Sequence, residues 1–527
     1  MGSTSSLFWA SAMKVLFTRS GHSKSALLRA LLLSLTALSL AVSFWWVATT
    51  GFVSTDSLIY LKIGRLFFTA NHALINAEFP PLFPLIISSI MSLGVSASLA
   101  AKILNAALFI GSTTLLYKTL ALGSEIKRSH TVAIAALVMT AYVVVGIHTS
   151  LMTESLFLFL MFCNFYCLVR YKQQNTLVFV GLAAFFASLA ALDRYAGVAI
   201  IASTVISAWL FTPKLDMQRM RNIALICAAS SLLFALWLAR NYWITSSLTG
   251  REFGELERES LGLLYYVDTI CKLYFPSAIP MAVRQVGLSL ILLFTLFTTV
   301  VVASRARRSH FHSVLQWSLI TFALQSLLIF VTWFADKTLP LSPRILAPAY
   351  SLLLLMHFTA VAYWASLLPH SHLRRAVVTA YLIGYIALNS ARVIVHSQEP
   401  HHNYDSPEWS ESATILHWKS GEYESTYLIS NGEDIMQYHL GREVEKMPFM
   451  FDPRTRKPRA DFPQKMQAVI CNLQRQQGYI VYLNNKAERT HLPTLPQLLG
   501  EYPLTIAIQF IDGVALKVDP ARLTICE

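Results

Sequence analysis

The sequence predicts an all-α polytopic membrane protein with a small α/β domain at its C-terminus, and three observations predict this fold class. The 527 residues are 55% hydrophobic and 13% charged, whereas charged residues make up roughly 25% of soluble domains. The mean hydropathy is +0.50. Apolar runs long enough to cross a bilayer recur before residue 396 and never after it. This composition excludes disordered, collagen-like and disulfide-scaffold proteins.

About eleven apolar segments are predicted to be transmembrane helices, each of which needs about 20 residues. The first segment, 25–52, is too long for the apolar core of a signal peptide, so we interpret it as an uncleaved span. The others are 96–122, 131–147, 155–170, 176–192, 195–211, 222–245, 286–304, 313–334, 344–367 and 376–395. The segment 82–93 is about half as long as a span and is predicted to be re-entrant or interfacial.

The positions of Lys and Arg predict the orientation, because short cytoplasmic loops are enriched in these residues. With eleven spans, one set of loops is basic, as at Lys127 and Arg128, while the other set has nearly equal numbers of acidic and basic residues. The segment 1–24 is therefore predicted to be cytoplasmic, 25–395 to be the transmembrane module, and 396–527 to be an extracytoplasmic domain. This topology explains much of the net charge of +13, so no nucleic-acid partner is predicted.

The C-terminal segment has the patterns of a small α/β domain. Alternating residues predict strands over 426–430 and 480–483, and helical patterns cover 434–440 and 462–476. A closing strand pair is predicted over 504–511 and 514–518, around the turn Asp512-Gly513.

Four ionisable side chains map to the outer end of the predicted spans: Asp56, Glu154, Arg194 and Arg344. Each has a structural alternative, because acids cap or stabilise helix starts and arginines extend towards the interface. Together they suit displacement of an anionic leaving group by a hydroxyl, with a carboxylate as general base and guanidiniums binding phosphate. Nucleotide-activated donors are cytoplasmic, so we expect a lipid-linked donor.

The order of these residues resembles the GT-C glycosyltransferase superfamily, in particular the branch of protein O-mannosyltransferases and the aminoarabinose transferase of lipid A. The matching motifs are Asp56, Phe79-Pro80-Pro81-Leu82-Phe83-Pro84, Met152-Thr153-Glu154, Leu192-Asp193-Arg194-Tyr195 and Pro343-Arg344. The resemblance covers about residues 25–395. It implies a GT-C-like enzyme of the bacterial inner membrane that inverts the anomeric centre. The implied donor is a polyprenyl-phosphate-linked hexose or pentose, and the implied acceptor is a glycan, lipid or protein.

The resemblance also implies residue roles. Asp56 matches the general base and Glu154 the second external acid, so both are predicted to be catalytic. Arg194 and Arg344 are implied to bind the donor phosphate. The aminoarabinose branch has a Lys before its Pro-Pro-Leu, where this chain has Glu78-Phe79. Candidate substitutes for that Lys are Lys62, Arg65 and Arg240. Side chains expected to line the acceptor site or cavity are Tyr60, His148, Asp193 and Tyr195.

The sequence assigns no cofactor. Many superfamily members carry two adjacent acids in the first outer loop, whereas Asp56 is followed by Ser57, so a divalent metal is not supported and no metal ligand is assigned. His401, His402 and Asp405 could bind a metal, but we favour a solvated linker.

Other interpretations remain open at this point. A transporter or flippase of lipid-linked glycans would place ionisable groups near the bilayer midplane in repeated halves, and the sequence has no evident repeat. A glycan ligase or polymerase would use the same leaving group, and a non-catalytic scaffold is the simplest alternative. The loop 250–284 is predicted either to cover the acceptor site or to be an ordinary interfacial loop. Cys471 and Cys526 could form a disulfide.

Overall fold

The computed structural model describes residues 53–68, 75, 77–123, 125–212, 216–250, 262–305, 309–335, 342–367, 372–398, 403–452, 457–484 and 490–522. The predicted first span, 25–52, and the segment 1–24 lie outside the described residues.

The described chain before residue 399 is helical. Its helices are α1 (Thr55–Phe67), α2 (Leu82–Met91), α3 (Ala97–Ala121), α4 (Arg128–Met139), α5 (Tyr142–Ile147), α6 (Thr153–Gln174), α7 (Leu177–Asp193), α8 (Val198–Phe211), α9 (Met217–Ser230), α10 (Leu232–Thr245), α11 (Gly262–Tyr274), α12 (Met281–Arg305), α13 (His310–Ala335), α14 (Pro343–Leu367) and α15 (His372–Gln398). A 3₁₀ turn, Tyr195–Gly197, joins α7 to α8.

Among the described residues, five helices are long and apolar enough to cross a membrane: α3, α6, α12, α13 and α14. The pair α9 and α10, bent by 45° at its break, gives a sixth when counted as one span. The remaining apolar helices, including α2, α4 and α7, are shorter. The chain is therefore a multi-pass membrane protein, and the number of eleven spans stays a prediction.

Three predicted segments have a different structure from the one expected. The span predicted over 222–245 is broken at Ser231 into α9 and α10. The span predicted over 131–147 is broken into α4 and α5, and Asn389 of α15 accepts a hydrogen bond at 3.1 Å from the Tyr142 amide that opens α5. This contact supplies a partner for an amide that a helix start leaves free. The segment 250–284 contains α11, whose Tyr266 and Tyr274 are buried in the helical core.

The helices α6 and α14 lie at the centre of the helical module and are buried over most of their length. On α6, Phe165 stacks on Trp317 of α13 with ring centroids 3.9 Å apart. Asn164 of α6 donates hydrogen bonds to the Ala183 carbonyl and to Thr204, which satisfies its amide nitrogen inside an apolar core. The first turns of these two central helices carry two of the four predicted charged residues.

The C-terminal domain is a five-stranded sheet with helices on both faces. Its helices are α16 (Pro407–Ser410), α17 (Ala413–Lys419), α18 (Glu433–Leu440), α19 (Phe462–Gln476) and α20 (Leu495–Glu501), and its strands are β1 (Leu428–Ser430), β2 (Glu445–Lys446), β3 (Tyr479–Leu483), β4 (Leu504–Gln509) and β5 (Gly513–Val518). The strand order is β2-β1-β3-β5-β4. Both β2 and β3 run parallel to β1, and β5 runs antiparallel to β3 and β4. The helix predicted over 462–476 and the closing strand pair are confirmed.

Successive apolar side chains of the strands point to opposite faces of the sheet and form one hydrophobic core on each face. Leu428 and Val481 face the side of α17 and α18, whereas the neighbouring residues Ile429 and Ile480 face α19 and α20. This is the two-residue period of a strand that is covered on both faces.

Asp512, at the turn between β4 and β5, fixes the start of α17. Its Oδ1 accepts hydrogen bonds from the Thr414 amide at 3.1 Å and from Thr414 Oγ1 at 2.6 Å. Burial raises the pKa of this carboxyl, but hydrogen bonds from Ser412 and Thr414 outweigh burial and hold the pKa below its usual value. Elsewhere in the domain, Cys471 is disulfide-bonded, and Cys526 lies outside the described residues.

Candidate active site

Four helix ends meet at one end of the helical module. Here α1, α6 and α14 begin and α7 ends. Asp56, Glu154 and Arg344 lie in the first turns of α1, α6 and α14, and Arg194 directly follows α7. The structure therefore brings together the four charged residues that the sequence analysis selected.

Asp56 and Arg344 form the outer ion pair of this cluster. Asp56 Oδ2 lies 2.5 Å from Arg344 Nη2, and the side chains are 28% and 39% exposed. Arg344 Nη1 also lies 3.0 Å from the Met152 sulfur. The pair is reachable from solvent, which a base that meets an external substrate requires.

Glu154 and Arg194 form the inner ion pair. Glu154 Oε1 lies 2.5 Å from Arg194 Nη1, and the Glu154 side chain is 2% exposed. Arg194 Nη1 also donates a hydrogen bond to Thr153 Oγ1 at 2.9 Å. Arg344 Nε lies 3.9 Å from the same Glu154 oxygen. The two pairs are therefore joined through Arg344 into one cluster of two carboxylates and two guanidiniums.

The first turn of α1 holds Asp56 without using it as a helix cap. Ser54 is the N-cap and forms a capping box with Ser57, and Ser57 Oγ donates a hydrogen bond to the Leu151 carbonyl at 2.9 Å. The alternative role of Asp56 as the N-terminal cap is therefore wrong. Within the described chain, the Asp56 carboxylate has no hydrogen bond to the backbone, and it contacts Arg344 instead.

A close turn between α7 and α8 presents Arg194. Gly197 packs so tightly against the end of α7 that a Cβ atom there would lie 2.2 Å from the Ala191 nitrogen. Only glycine fits such an approach. The chain therefore reverses within the 3₁₀ turn, and Arg194 stays at the end of the bundle beside Glu154.

Tyr60, one helical turn after Asp56, completes the wall of the cluster. Its ring makes edge contacts with Phe79 and Phe83 of the predicted Pro-rich motif, with centroids 5.4 and 5.5 Å away. Burial raises the pKa of the Tyr60 phenol, and the negative charge of Glu154 raises it further. Tyr60 is therefore a neutral hydroxyl beside the charged residues at ordinary pH.

Asp193 lies next to Arg194 and is completely buried. Neither of its carboxylate oxygens has a hydrogen-bond partner within the described part of the chain. Such an acid is costly to bury alone, and its predicted role in lining the cavity stays a prediction.

Three further basic candidates lie on α1 and α10. Lys62 and Arg65 are exposed on α1, and at 3.6 residues per turn they lie about 120° and 180° around the helix from Asp56. Arg240 donates a hydrogen bond to the Ile75 carbonyl at 3.0 Å and lies 4.8 Å from the Trp237 ring centroid. Their predicted phosphate contacts stay predictions.

Two candidates for the cavity lining have contacts with the scaffold. The Tyr195 hydroxyl donates a hydrogen bond to the Ala77 carbonyl at 2.5 Å and accepts one from Trp237 at 3.2 Å, so it ties α10 to the segment before α2. His148 Nδ1 donates to the Val144 carbonyl at 2.7 Å. Its buried Nε2 has no hydrogen-bond partner among the residues that the structure describes.

Asn105 is a positioning residue that the sequence analysis missed. Its amide nitrogen donates to the Ser150 carbonyl at 2.7 Å and to the His148 carbonyl at 3.2 Å, and its oxygen accepts from Ser155 at 2.7 Å. These bonds fix the turn that leads into Glu154. The available signal was a polar amide inside the apolar segment 96–122, since such residues tend to have a function.

The acids of the cluster are paired with arginines rather than grouped as metal ligands. The described ranges contain no group of three or more His, Cys, Asp or Glu side chains that could hold a metal ion. A divalent cation at Asp56 or Glu154 would have to displace a guanidinium from each carboxylate. The arrangement is instead suited to binding an anion and to removing a proton from a neutral hydroxyl.

Comparison with known proteins identifies the fold. No protein-family model matches the chain, and no curated protein matches it in sequence. ArnT from Cupriavidus metallidurans in the apo state superposes with a TM-score of 0.61 at 11% identity, over 93% of this chain and 98% of that chain. The same protein bound to undecaprenyl phosphate gives a TM-score of 0.60 at 12% identity, over 94% and 99% of the two chains.

Two further glycosyltransferase structures are similar. The Archaeoglobus fulgidus oligosaccharyltransferase in the apo form has a TM-score of 0.51 at 12% identity, over 86% of this chain and 69% of that chain. Mycobacterial arabinofuranosyltransferase AftD has a TM-score of 0.53 at 16% identity, over 93% of this chain and 41% of that chain. The chain thus has the fold of GT-C glycosyltransferases, which confirms the resemblance at the level of fold.

Proposed function

We propose that the protein is a glycosyltransferase that moves a sugar from a polyprenyl-phosphate-linked donor to a hydroxyl group of a glycan, lipid or protein. The observation that carries this proposal is the joined cluster of Asp56, Arg344, Glu154 and Arg194 at one end of the helical module. The fold shared with ArnT, whose structure contains undecaprenyl phosphate, supports this class of donor.

In the proposed reaction, the acceptor oxygen forms a bond to the anomeric carbon of the donor sugar. The bond between that carbon and the phosphate oxygen breaks, and polyprenyl phosphate leaves with the electron pair. Asp56 takes the proton of the acceptor hydroxyl as general base. A single displacement of this kind inverts the anomeric centre.

Binding of the donor also prepares the base. Arg344 holds Asp56 at 2.5 Å and Arg194 holds Glu154 at 2.5 Å. The phosphodiester of the donor offers the same planar guanidinium groups another bidentate anionic acceptor, so it competes with the carboxylates. When Arg344 turns to the phosphate, Asp56 is released to accept a proton. Charge that develops on the leaving phosphate is stabilised by guanidiniums already in place.

The inner pair has a supporting role in this scheme. Glu154 is almost fully buried, so we assign it the orientation of Arg194 and Arg344 rather than contact with bulk solvent. Tyr60, whose ring packs on Phe79 and Phe83, forms the apolar side of the sugar site.

The proposed topology places this reaction outside the cytoplasm. It keeps eleven spans, a cytoplasmic segment 1–24, the transmembrane module 25–395 and an extracytoplasmic domain 396–527. In this arrangement the protein resides in the bacterial inner membrane and takes its donor directly from the lipid bilayer.

The donor proposal can be tested by comparing two lipids that differ in the phosphate. Full-length protein in nanodiscs would be titrated with undecaprenyl phosphate and with undecaprenol. A charge-assisted hydrogen bond contributes about 1.5–3 kcal/mol, so we expect at least about tenfold tighter binding of the phosphate. Equal affinity for both lipids would contradict a phosphate site.

A further inference from the structure

The first residues of the C-terminal domain contact the peptide that precedes Asp56. Asp405 Oδ1 accepts a hydrogen bond from the Val53 amide at 2.8 Å. The amide of Tyr404 donates a hydrogen bond to the Val53 carbonyl at 2.8 Å. Two consecutive residues of the domain therefore bind both backbone groups of a residue that lies three positions before Asp56.

The second oxygen of Asp405 reaches a different helix. Asp405 Oδ2 accepts a hydrogen bond from Ser98 Oγ at 3.0 Å, and Ser98 lies in the first turn of α3. A negative charge near a helix N-terminus is also favoured by the helix dipole. One half-buried carboxylate thus joins the domain, the entry to α1 and the start of α3.

Apolar packing reinforces this junction. Val53 is completely buried and belongs to the same hydrophobic cluster as Trp409 and Trp418 of the domain, with Leu58 at the edge of that cluster. Burying such a side chain fully contributes about 1.5–3 kcal/mol. Val53, which lies just before α1, is therefore part of the core of the C-terminal domain, and Leu58 of α1 packs against that core.

The inner side of the first turn of α1 is fixed by the helical module. The Ser54 amide donates to Ser57 Oγ at 2.9 Å, and Ser57 Oγ donates to the Leu151 carbonyl at 2.9 Å. Asp56 lies between this inner anchor and the outer anchor at Asp405. Its carboxylate position is set by both contacts, because the short turn leaves few rotatable backbone bonds between them.

We propose that Asp405 is a positioning residue for Asp56 and that the C-terminal domain is thereby part of the catalytic unit. This inference rests on the proposed role of Asp56 as general base. A base must lie within hydrogen-bond reach of the proton it removes, and a displacement of about 1 Å can cost about 100-fold in rate. For Asp405, the interpretation as a solvated linker residue is wrong.

Three variants of the full-length chain separate positioning from stability. Asp405→Ala removes both hydrogen bonds. Asp405→Asn keeps an oxygen that accepts from the Val53 amide and an NH₂ group that can donate to Ser98 Oγ. Asp512→Ala is the matched control, because it removes a hydrogen-bonded carboxylate of the same domain that contacts Thr414 and not α1.

Hydrogen exchange and product formation are the two main measurements. Deuterium uptake of a peptide covering 53–60 should rise in Asp405→Ala and stay near wild type in Asp405→Asn. Mass spectrometry of cell envelopes should show product falling by about 10- to 100-fold in Asp405→Ala and little change in the other two variants. Affinity for undecaprenyl phosphate should stay within about threefold, a split that general unfolding would not produce.

Several results would overturn the positioning role. They are normal product in Asp405→Ala, equal loss in Asp405→Asn, which would indicate a role for the charge, or equal loss in Asp512→Ala. If Asp405→Ala does not fold, Ser98→Ala releases one carboxylate oxygen and should lower product severalfold, and unchanged product would contradict the proposal. Product that persists in Asp56→Asn would instead overturn the proposed function itself.

Discussion

Replacing Asp56 by Asn is the most informative single change, because it separates proton removal from donor binding. The substitution keeps the size of the side chain and removes its negative charge and basicity. It also removes the ionic partner of Arg344, which lies 2.5 Å from the carboxylate. The two consequences have opposite signs, since transfer should fall while binding of the lipid phosphate should improve.

The expected fall in transfer follows from the proposed role of Asp56, and the expected gain in binding follows from the exposure of its ion pair. General-base catalysis contributes about 100- to 10,000-fold in rate, so transfer should fall by that factor. The ion pair joins side chains that are 28% and 39% exposed, and a pair at such exposure contributes about 0.5–1 kcal/mol. Binding no longer has to break this pair, so undecaprenyl phosphate should bind about two- to fivefold more tightly.

The assay compares product formation and lipid binding in the same preparations. Product would be quantified by mass spectrometry relative to the amount of protein in the membrane, and affinity by titration in nanodiscs. Asp461→Asn is the control, because Asp461 is paired with Arg459 and Lys465 in the C-terminal domain. Wild-type transfer in Asp56→Asn would refute the assignment of Asp56 as the base.

Three further predictions concern the inner pair, the donor contact and acid stability. Glu154→Gln breaks a nearly buried ion pair and should lower the free energy of unfolding by about 3 kcal/mol. In calorimetry, the double variant that also carries Arg194→Gln should recover about 1 kcal/mol or more of that loss. Arg344→Ala should weaken undecaprenyl phosphate binding by about 10-fold or more, whereas the control Arg459→Ala, in the C-terminal domain, should not. The folded-state pKa of Asp512 is lowered, so this carboxylate stabilises the fold above its unfolded pKa of about 3.9, and the stabilisation is lost as pH falls through the folded pKa. The difference in melting temperature between wild type and Asp512→Asn should therefore shrink below about pH 4. A constant difference would contradict this.

The location of the site was predictable from the sequence, and its pairing was not. Hydrophobic period and loop charge assigned Asp56, Glu154, Arg194 and Arg344 to one end of the bundle, because both signals depend on local composition. The contact between Asp56 and Arg344 joins residues 288 positions apart. Such pairing depends on how helices pack, which local periodicity does not encode.

Polar residues that support the site were missed for a related reason. Asn105 lies within an apolar segment, and its role is visible only when the Ser150 and His148 carbonyls are seen to converge on it. Asp405 was assigned to a solvated linker because it lies just after the last predicted span. Its contact with Val53 spans 352 positions, so the sequence offered no indication that the domain reaches α1.

The break between α4 and α5 had a further cause. The segment 131–147 is continuously apolar, which predicts one span, but Asn389 supplies an acceptor to the Tyr142 amide at the break. A tertiary hydrogen bond of this kind compensates an interrupted helix. Length and hydropathy alone therefore overestimate the continuity of this helix.

The central claim is tested most directly by mass spectrometry of lipids, glycans and glycoproteins from cell envelopes with and without this protein. We predict that cells lacking the protein accumulate a polyprenyl-phosphate-linked sugar and lose that same sugar from a glycan, lipid or protein acceptor. Restoring the gene should reverse both changes. Envelopes with identical donor pools and identical acceptor glycosylation in the two strains would contradict the account.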